Sequence, residues 1–210
     1  FFAEAKGEDT IQRSLEVING EVRTVSENHN LGIGIRVFHG KGNGFSFSNV
    51  LDIESIRKAA ETAFKIAKVS SKKSLLKLNL KEIKPTIDKK VTNVKEHPRD
   101  VALDEKKDFC LRECKTSSAY SKQIANIVAR FAEYYGSIYF LNSEGTKVSY
   151  EPLLVGLATS CIAKRGGTIV DARDVFGGSY GLGIYRQEEQ TPEKLGENAA
   201  KWAIEKLKAK

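Results

Sequence analysis

The chain has 210 residues, 40% hydrophobic and 29% charged, which suffices for one large domain or two small ones with a real core. No apolar run approaches the length of a membrane-spanning helix, and no secretory leader is visible. The three cysteines, Cys110, Cys114 and Cys161, are an odd number without scaffold spacing, which excludes a disulfide framework and points to free thiols in a reducing, cytoplasmic setting. The net charge is +7, and the stretch from Lys72 to Lys90 carries most of it: seven lysines against Glu82 and Asp88. That stretch holds no Arg and no aromatic residue, unlike a nucleic-acid groove, so it reads as a solvated connector, with an acidic partner as the alternative. The chain has no Met, opens Phe1-Phe2-Ala3-Glu4-Ala5 like the inside of a strand, and stops at Leu207-Lys208-Ala209-Lys210 as a helix runs out. Further protein is expected on both sides.

In chain order, residues 1–6 and 11–18 read as two strands joined by the turn cluster Gly7-Glu8-Asp9-Thr10. Asn19-Gly20 is the strongest hairpin signal, and the strand after it runs to about Glu27, with His29 and Asn30 in a bend. Residues 31–48 then read as strand, turn, strand. Ile33, Ile35 and Val37 alternate with Gly34, Arg36 and Phe38, three glycines reverse the chain, and Phe45 and Phe47 share a face of the return strand. Arg36 is a fixed cation in mid-strand. It either pairs with a carboxylate or snorkels to water, or it faces a groove that receives peptide or carboxylate.

The period then changes to helical. Asp52 is a good N-cap, and Ile53, Ile56, Ala59, Ala60, Ala63 and Ala67 recur at helical spacing up to Ser70-Ser71. Residues 70–100 show little periodicity beyond a short strand at Leu75–Leu80. A second helix covers residues 104–117, with Cys110 and Cys114 on one face as free thiols. Strands follow at 124–135 and 138–141, a turn at Asn142-Ser143-Glu144-Gly145, and strands at 148–150, 153–163 and 168–175. Gly166-Gly167 reverses the chain, and Phe176-Gly177-Gly178-Ser179-Tyr180-Gly181 is a glycine-rich break. Thr191 and Pro192 open a last helix, with Leu195, Ala199, Trp202, Ala203 and Leu207 on its buried face and Tyr185 also in the core. The sum is an α+β fold: antiparallel β-sheets each covered by helices, in two loosely similar halves. The divisions are 1–70, a β-meander with a helix; 71–100, the lysine-rich connector; and 101–210, a second α+β module.

Four stretches in order resemble the TldD/PmbA family of zinc metallopeptidases. They are Asn19-Gly20-Glu21-Val22 with Gly32-Ile33-Gly34-Ile35-Arg36-Val37; Gly44-Phe45-Ser46-Phe47-Ser48 leading into the Asp52 helix; Leu141-Asn142-Ser143-Glu144-Gly145; and the run from Thr191 to Ala200. The resemblance spans nearly the whole chain and implies its amino-terminal and middle portions. In the family the metal sits on a later helix with His-Glu-x-x-x-His and a Cys, where two His one turn apart hold zinc and the Glu works on bound water. This sequence has only His29, His39 and His97, without that spacing. The resemblance therefore implies no catalytic residue, no metal ligand and no cofactor in this chain, and zinc in an absent C-terminal domain. It implies a supporting part in proteolysis of peptides or unfolded segments, shaping a substrate cleft and a homo- or heterodimer contact with a family subunit. The chain alone is then expected to be inactive, and neither membrane nor nucleic acid is an expected partner. The candidate groove residues are Arg36, Gly177, Gly178 and Tyr180; Gly181 follows Tyr180 where the family often has an acidic residue. The alternative is a self-assembling binding or structural module without enzymatic activity.

Overall fold

A computed structural model describes residues 1–72 and 84–209. Its strands are β1 (Phe2–Ile18), β2 (Glu21–His39), β3 (Gly42–Ser48), β4 (Ile87–Lys90), β5 (Ile124–Asn142), β6 (Lys147–Tyr150), β7 (Leu153–Arg165) and β8 (Thr168–Gly178). Its helices are α1 (Ile53–Ser71), α2 (Leu103–Tyr120) and α3 (Pro192–Lys208). The fold is α+β, antiparallel strands flanked by helices, with one parallel pair, β4 beside β6. The chain divides into two units: Phe1–Thr10, His29–Thr92 and Gly136–Pro152 in the first, and Ile11–Asn28, Asn93–Tyr135 and Leu153–Lys210 in the second.

In the first unit the strands run in the order β3-β2-β1-β5-β6-β4. Helix α1 begins where Asp52 accepts a hydrogen bond from the Ser55 amide at 2.7 Å, an N-cap that also holds its carboxyl below the usual range. The alanines Ala59, Ala63 and Ala67 are buried against Ile35 and Val37 of β2. A β-carbon at Gly42 would overlap the Ala67 carbonyl oxygen, and one at Gly44 would overlap that of Ala63. Helix and strand thus meet backbone to backbone. Ser70 fastens the contact: its hydroxyl accepts from the Asn43 amide at 3.1 Å and donates to the Asn43 carbonyl at 3.0 Å.

In the second unit β5 pairs β7, and β7 pairs β8, both antiparallel. The core gathers Leu15 and Val17 of β1, Phe131 of β5, Leu157 of β7, Phe109 of α2, Tyr185, and Leu195, Ala199 and Ala203 of α3. Helices α2 and α3 cross closely at Gly196, whose carbonyl accepts from the Ser117 hydroxyl at 2.9 Å. Three buried ionisable side chains sit inside this unit: Lys106, Glu113 and Glu133. Lys106 of α2 donates to Glu133 of β5 at 2.9 Å and to the Pro98 carbonyl at 2.6 Å. Arg13, itself paired with Glu27, closes on the same Glu133. Glu113 of α2 differs: both carboxyl oxygens are buried without a hydrogen-bond partner among the described residues, as is the Thr159 hydroxyl. Burial pushes the Glu113 carboxyl well above its usual range; Asp174 adds to this, and Thr159 opposes it.

Several expectations are corrected. The cluster Gly7-Glu8-Asp9-Thr10 does not turn; β1 runs through it. Its polar groups are satisfied locally: the buried Thr10 donates to Glu8 at 2.8 Å. His29 and Asn30 lie within β2, not in a bend, and His29 pairs with Asp9 at 2.7 Å. The two strands expected at 124–141 are one, β5, with Gly136 (φ +152°) where its backbone passes against Asp9 and Thr10. The break expected from Phe176 begins later, since β8 continues through Gly178. Part of the connector is ordered as β4, whose pairing with β6 no periodicity announces. The strand expected at Leu75–Leu80 lies outside the described residues. Trp202 is exposed at the margin of α3's buried face, whereas Tyr185 is fully buried.

Two predictions follow from this packing. Gly44→Ala is expected to lower stability by about 2 kcal/mol or more in urea denaturation, because neither backbone can move aside. Gly156→Ala, where a β-carbon would meet nothing within 4 Å, should stay within about 0.5 kcal/mol of the parent. Glu113 sets a pH dependence. Its folded pKa is raised, so its stabilising contribution is full below the unfolded carboxyl pKa and is lost as pH rises toward the folded value. Glu113→Gln should therefore flatten the fall in the urea midpoint as pH rises above the ordinary carboxyl range; an unchanged slope would remove Glu113 as its source.

Candidate functional site

A concavity lies in the first unit, on the sheet face opposite α1. Strict alternation builds it. With Ile33, Ile35 and Val37 turned toward the helix side, Gly34 and Arg36 turn the other way, and the register sets Gly34 opposite Phe47 and Arg36 opposite Phe45. The hollow has a volume of about 630 Å3, with Glu4 and Lys6 of β1, Arg36 of β2, Phe45 and Phe47 of β3 and Phe140 of β5 in its walls. Gly34 matters for its lack of a side chain, since a β-carbon there would press on the Phe45 ring at 3.1 Å.

Both readings of Arg36 meet here. Its Nε lies 3.8 Å from Glu4, its guanidinium stands 5.9 Å from the centre of the Phe45 ring, and it lines the hollow. Lys6 lies 3.7 Å from Glu8. Such long, solvated pairs are worth about 0–1 kcal/mol each, so they are easily opened by a competing carboxylate or ammonium. The surface offers aromatic area with charges of both signs. It does not offer a nucleophile with an adjacent base.

The other three groove candidates belong to the second unit. Gly177 and Gly178 are the last residues of β8, and their smallness has a packing reason: a β-carbon would strike the Val155 carbonyl at Gly177 and the Tyr180 ring at Gly178. Tyr180 is half exposed and stacks on Phe176 with ring centres 6.1 Å apart. Gly181 sits tightly against the Lys95 carbonyl, so a larger residue has no room there.

The donor set does not suit zinc. His29 is taken by Asp9, the His39 ring packs on Phe64, and His97 Nδ1 accepts from the Arg99 amide at 3.1 Å while its ring meets Tyr135. The three thiols are buried, and burial pushes each above the ordinary thiol range. Among the described residues no three His, Cys, Asp or Glu side chains come together to hold a metal ion. Glu113 and Glu133 are closed off from solvent and cannot serve as an acid–base pair for a bound substrate. Among the described residues, no helix is long and apolar enough to cross a membrane.

Comparison with known proteins agrees with this architecture. The family profile of PmbA/TldA metallopeptidase domain 1 matches residues 3–67, and that of the PmbA/TldA metallopeptidase central domain matches residues 96–207. Metalloprotease MJ0996 of Methanocaldococcus jannaschii is 29% identical over 160 residues, covering 76% of this chain and 35% of that protein. Metalloprotease PmbA of Escherichia coli O157:H7 is 27% identical over 210 residues, covering 98% and 44%. The crystal structure of TldE from Thermococcus kodakarensis superposes with a TM-score of 0.70 at 16% identity, over 97% of this chain and 44% of that one. A Thermotoga maritima protein described as a candidate modulator of a DNA gyrase gives 0.72 at 17% identity, over 97% and 44%. The chain spans less than half the length of these relatives. With two successive domain profiles matched in order and the same fold in solved relatives, the chain belongs to the PmbA/TldD metallopeptidase family, of which it holds the first and central domains.

Proposed function

We propose that this chain is the non-catalytic front and middle portion of a zinc metallopeptidase acting on peptides or unfolded segments, and that it shapes the substrate cleft and a subunit contact. The observation that carries the reading is the ordered match to the first and central domains in a chain under half the length of relatives named as metalloproteases. The reading puts zinc in a part of the protein outside these 210 residues, in a reduced cytoplasmic setting. The hollow over β2 and β3 supports the cleft. An extended peptide presents apolar side chains and charged groups of both signs, which the phenylalanines, Arg36 and Glu4 can meet. In the second unit, taken by itself, Gly177, Gly178 and Tyr180 are proposed to contact peptide.

The test has two arms. The 210-residue chain with added zinc is expected to leave peptides uncut; hydrolysis abolished by a chelator would place the metal within it and overturn the reading. In the whole protein, Arg36→Ala should raise KM for peptide several-fold while kcat holds, since a groove contact made equally in ground and transition states acts on binding alone. An unchanged KM removes Arg36 from the cleft.

A further inference from the structure

The floor and the walls of the first unit's hollow differ in kind. In the strand order β2 lies between β3 and β1. On the face away from α1 its row is Gly32, Gly34 and Arg36, two residues without side chains followed by a long cation. A β-carbon at Gly32 would press on the Ser48 carbonyl oxygen at 3.0 Å, and one at Gly34 on the Phe45 ring. The floor is therefore bare backbone, and Arg36 stands across one end of it. Phe45 and Phe47 line one side, while Glu4, Lys6 and Glu8, at alternate positions of β1 and so on one face, line the other. From Gly32 to Arg36 this trough runs about 13 Å, the length of roughly three or four residues of extended peptide. Past Arg36 the same face is filled by Phe38, packed against Phe2 with ring centres 6.0 Å apart.

We propose that this trough reads the free carboxyl end of a short peptide, with the terminal carboxylate on Arg36 and an apolar or aromatic last side chain against Phe45 and Phe47. Such a site rests on the proposed function and narrows its substrate class. Among the described residues no hydrogen bond engages the Arg36 guanidinium: Glu4, 3.8 Å from Nε, is beyond hydrogen-bond reach. The side chain is 48% exposed, and the face of the Phe45 ring steadies it from 5.9 Å. Its fork of donors is thus unspent, and a planar carboxylate accepts such a fork through both oxygens. Charge selects the carboxylate over a phosphate. Glu4 and Glu8 offset Arg36 and Lys6, so the walls sum to zero and tolerate one added negative charge better than two. Shape selects a chain end over an acidic side chain. A peptide that continued past Arg36 would have to climb over it and over Phe38, whereas one that ends there stays on the glycine floor.

Isothermal titration calorimetry on the 210-residue chain tests this, with circular dichroism confirming the fold of each variant. The probe is an N-acetylated tetrapeptide of three alanines and a final phenylalanine, used as the free acid and as the C-terminal amide. The acid is expected to bind about tenfold more tightly, as one charge-assisted pair allows. Arg36→Gln should erase that difference, and Glu4→Gln, which leaves the guanidinium to the ligand alone, should widen it. A preference for the acid that survives Arg36→Gln, or that Glu4→Gln narrows, overturns the proposal. Equal binding of acid and amide also overturns it, while leaving the peptide cleft standing. So does an amidated peptide whose only carboxylate is on an internal glutamate, if it binds as tightly as the free acid. Binding of neither form overturns the proposal and removes the hollow from the proposed cleft as well.

Discussion

The first unit depends on one steric condition: α1 must touch β3 with no side chain between them. Gly42 and Gly44 on the strand and Ala63 and Ala67 on the helix meet this condition together. Because the small residues occupy every second position of β3, the large ones, Phe45 and Phe47, are forced onto the other face. The closed side and the open side of this sheet are therefore one design decision. A bulky residue among the glycines would lift the helix, and a polar one among the phenylalanines would alter only the surface.

The second unit solves a different problem. It buries a lysine and two glutamates in a core otherwise built of alanine, leucine and aromatic rings. Lys106 and Glu133 answer one another, with the Pro98 carbonyl taking a second lysine proton. Breaking such a pair leaves a stranded charge, which costs far more than the pair itself contributes. The arrangement ties α2 to β5 through Lys106 and Glu133. Glu113 has no such answer, and burial favours its protonated form.

Features that act locally were legible in the sequence. Asp52 and Thr191 cap helices through their own side chains, and Gly145 and Gly166 take positive φ in tight reversals, so three or four residues suffice to announce each. The alanine stripe of α1 was legible for the same reason. Features that depend on a distant strand were not. Gly7-Glu8-Asp9-Thr10 and His29-Asn30 have turn composition, yet strand pairing and the His29–Asp9 contact hold them extended. β4 exists through β6, nearly sixty positions on. Arg36 stood out as a cation in mid-strand, but Phe140, which shares its hollow from β5, gave no signal at all. Gly177 and Gly178 drew attention as a loop; much of their smallness answers to Val155 and Tyr180.

The three cysteines have a practical consequence. All are enclosed, and burial holds each thiol in its unreactive protonated form. An alkylating reagent added to the native protein must wait for the second unit to open before it finds a thiolate. The rate at which label accumulates is then a clock for that opening, readable by mass spectrometry on unmodified protein, with Cys110 and Cys114 timing α2 and Cys161 timing β7.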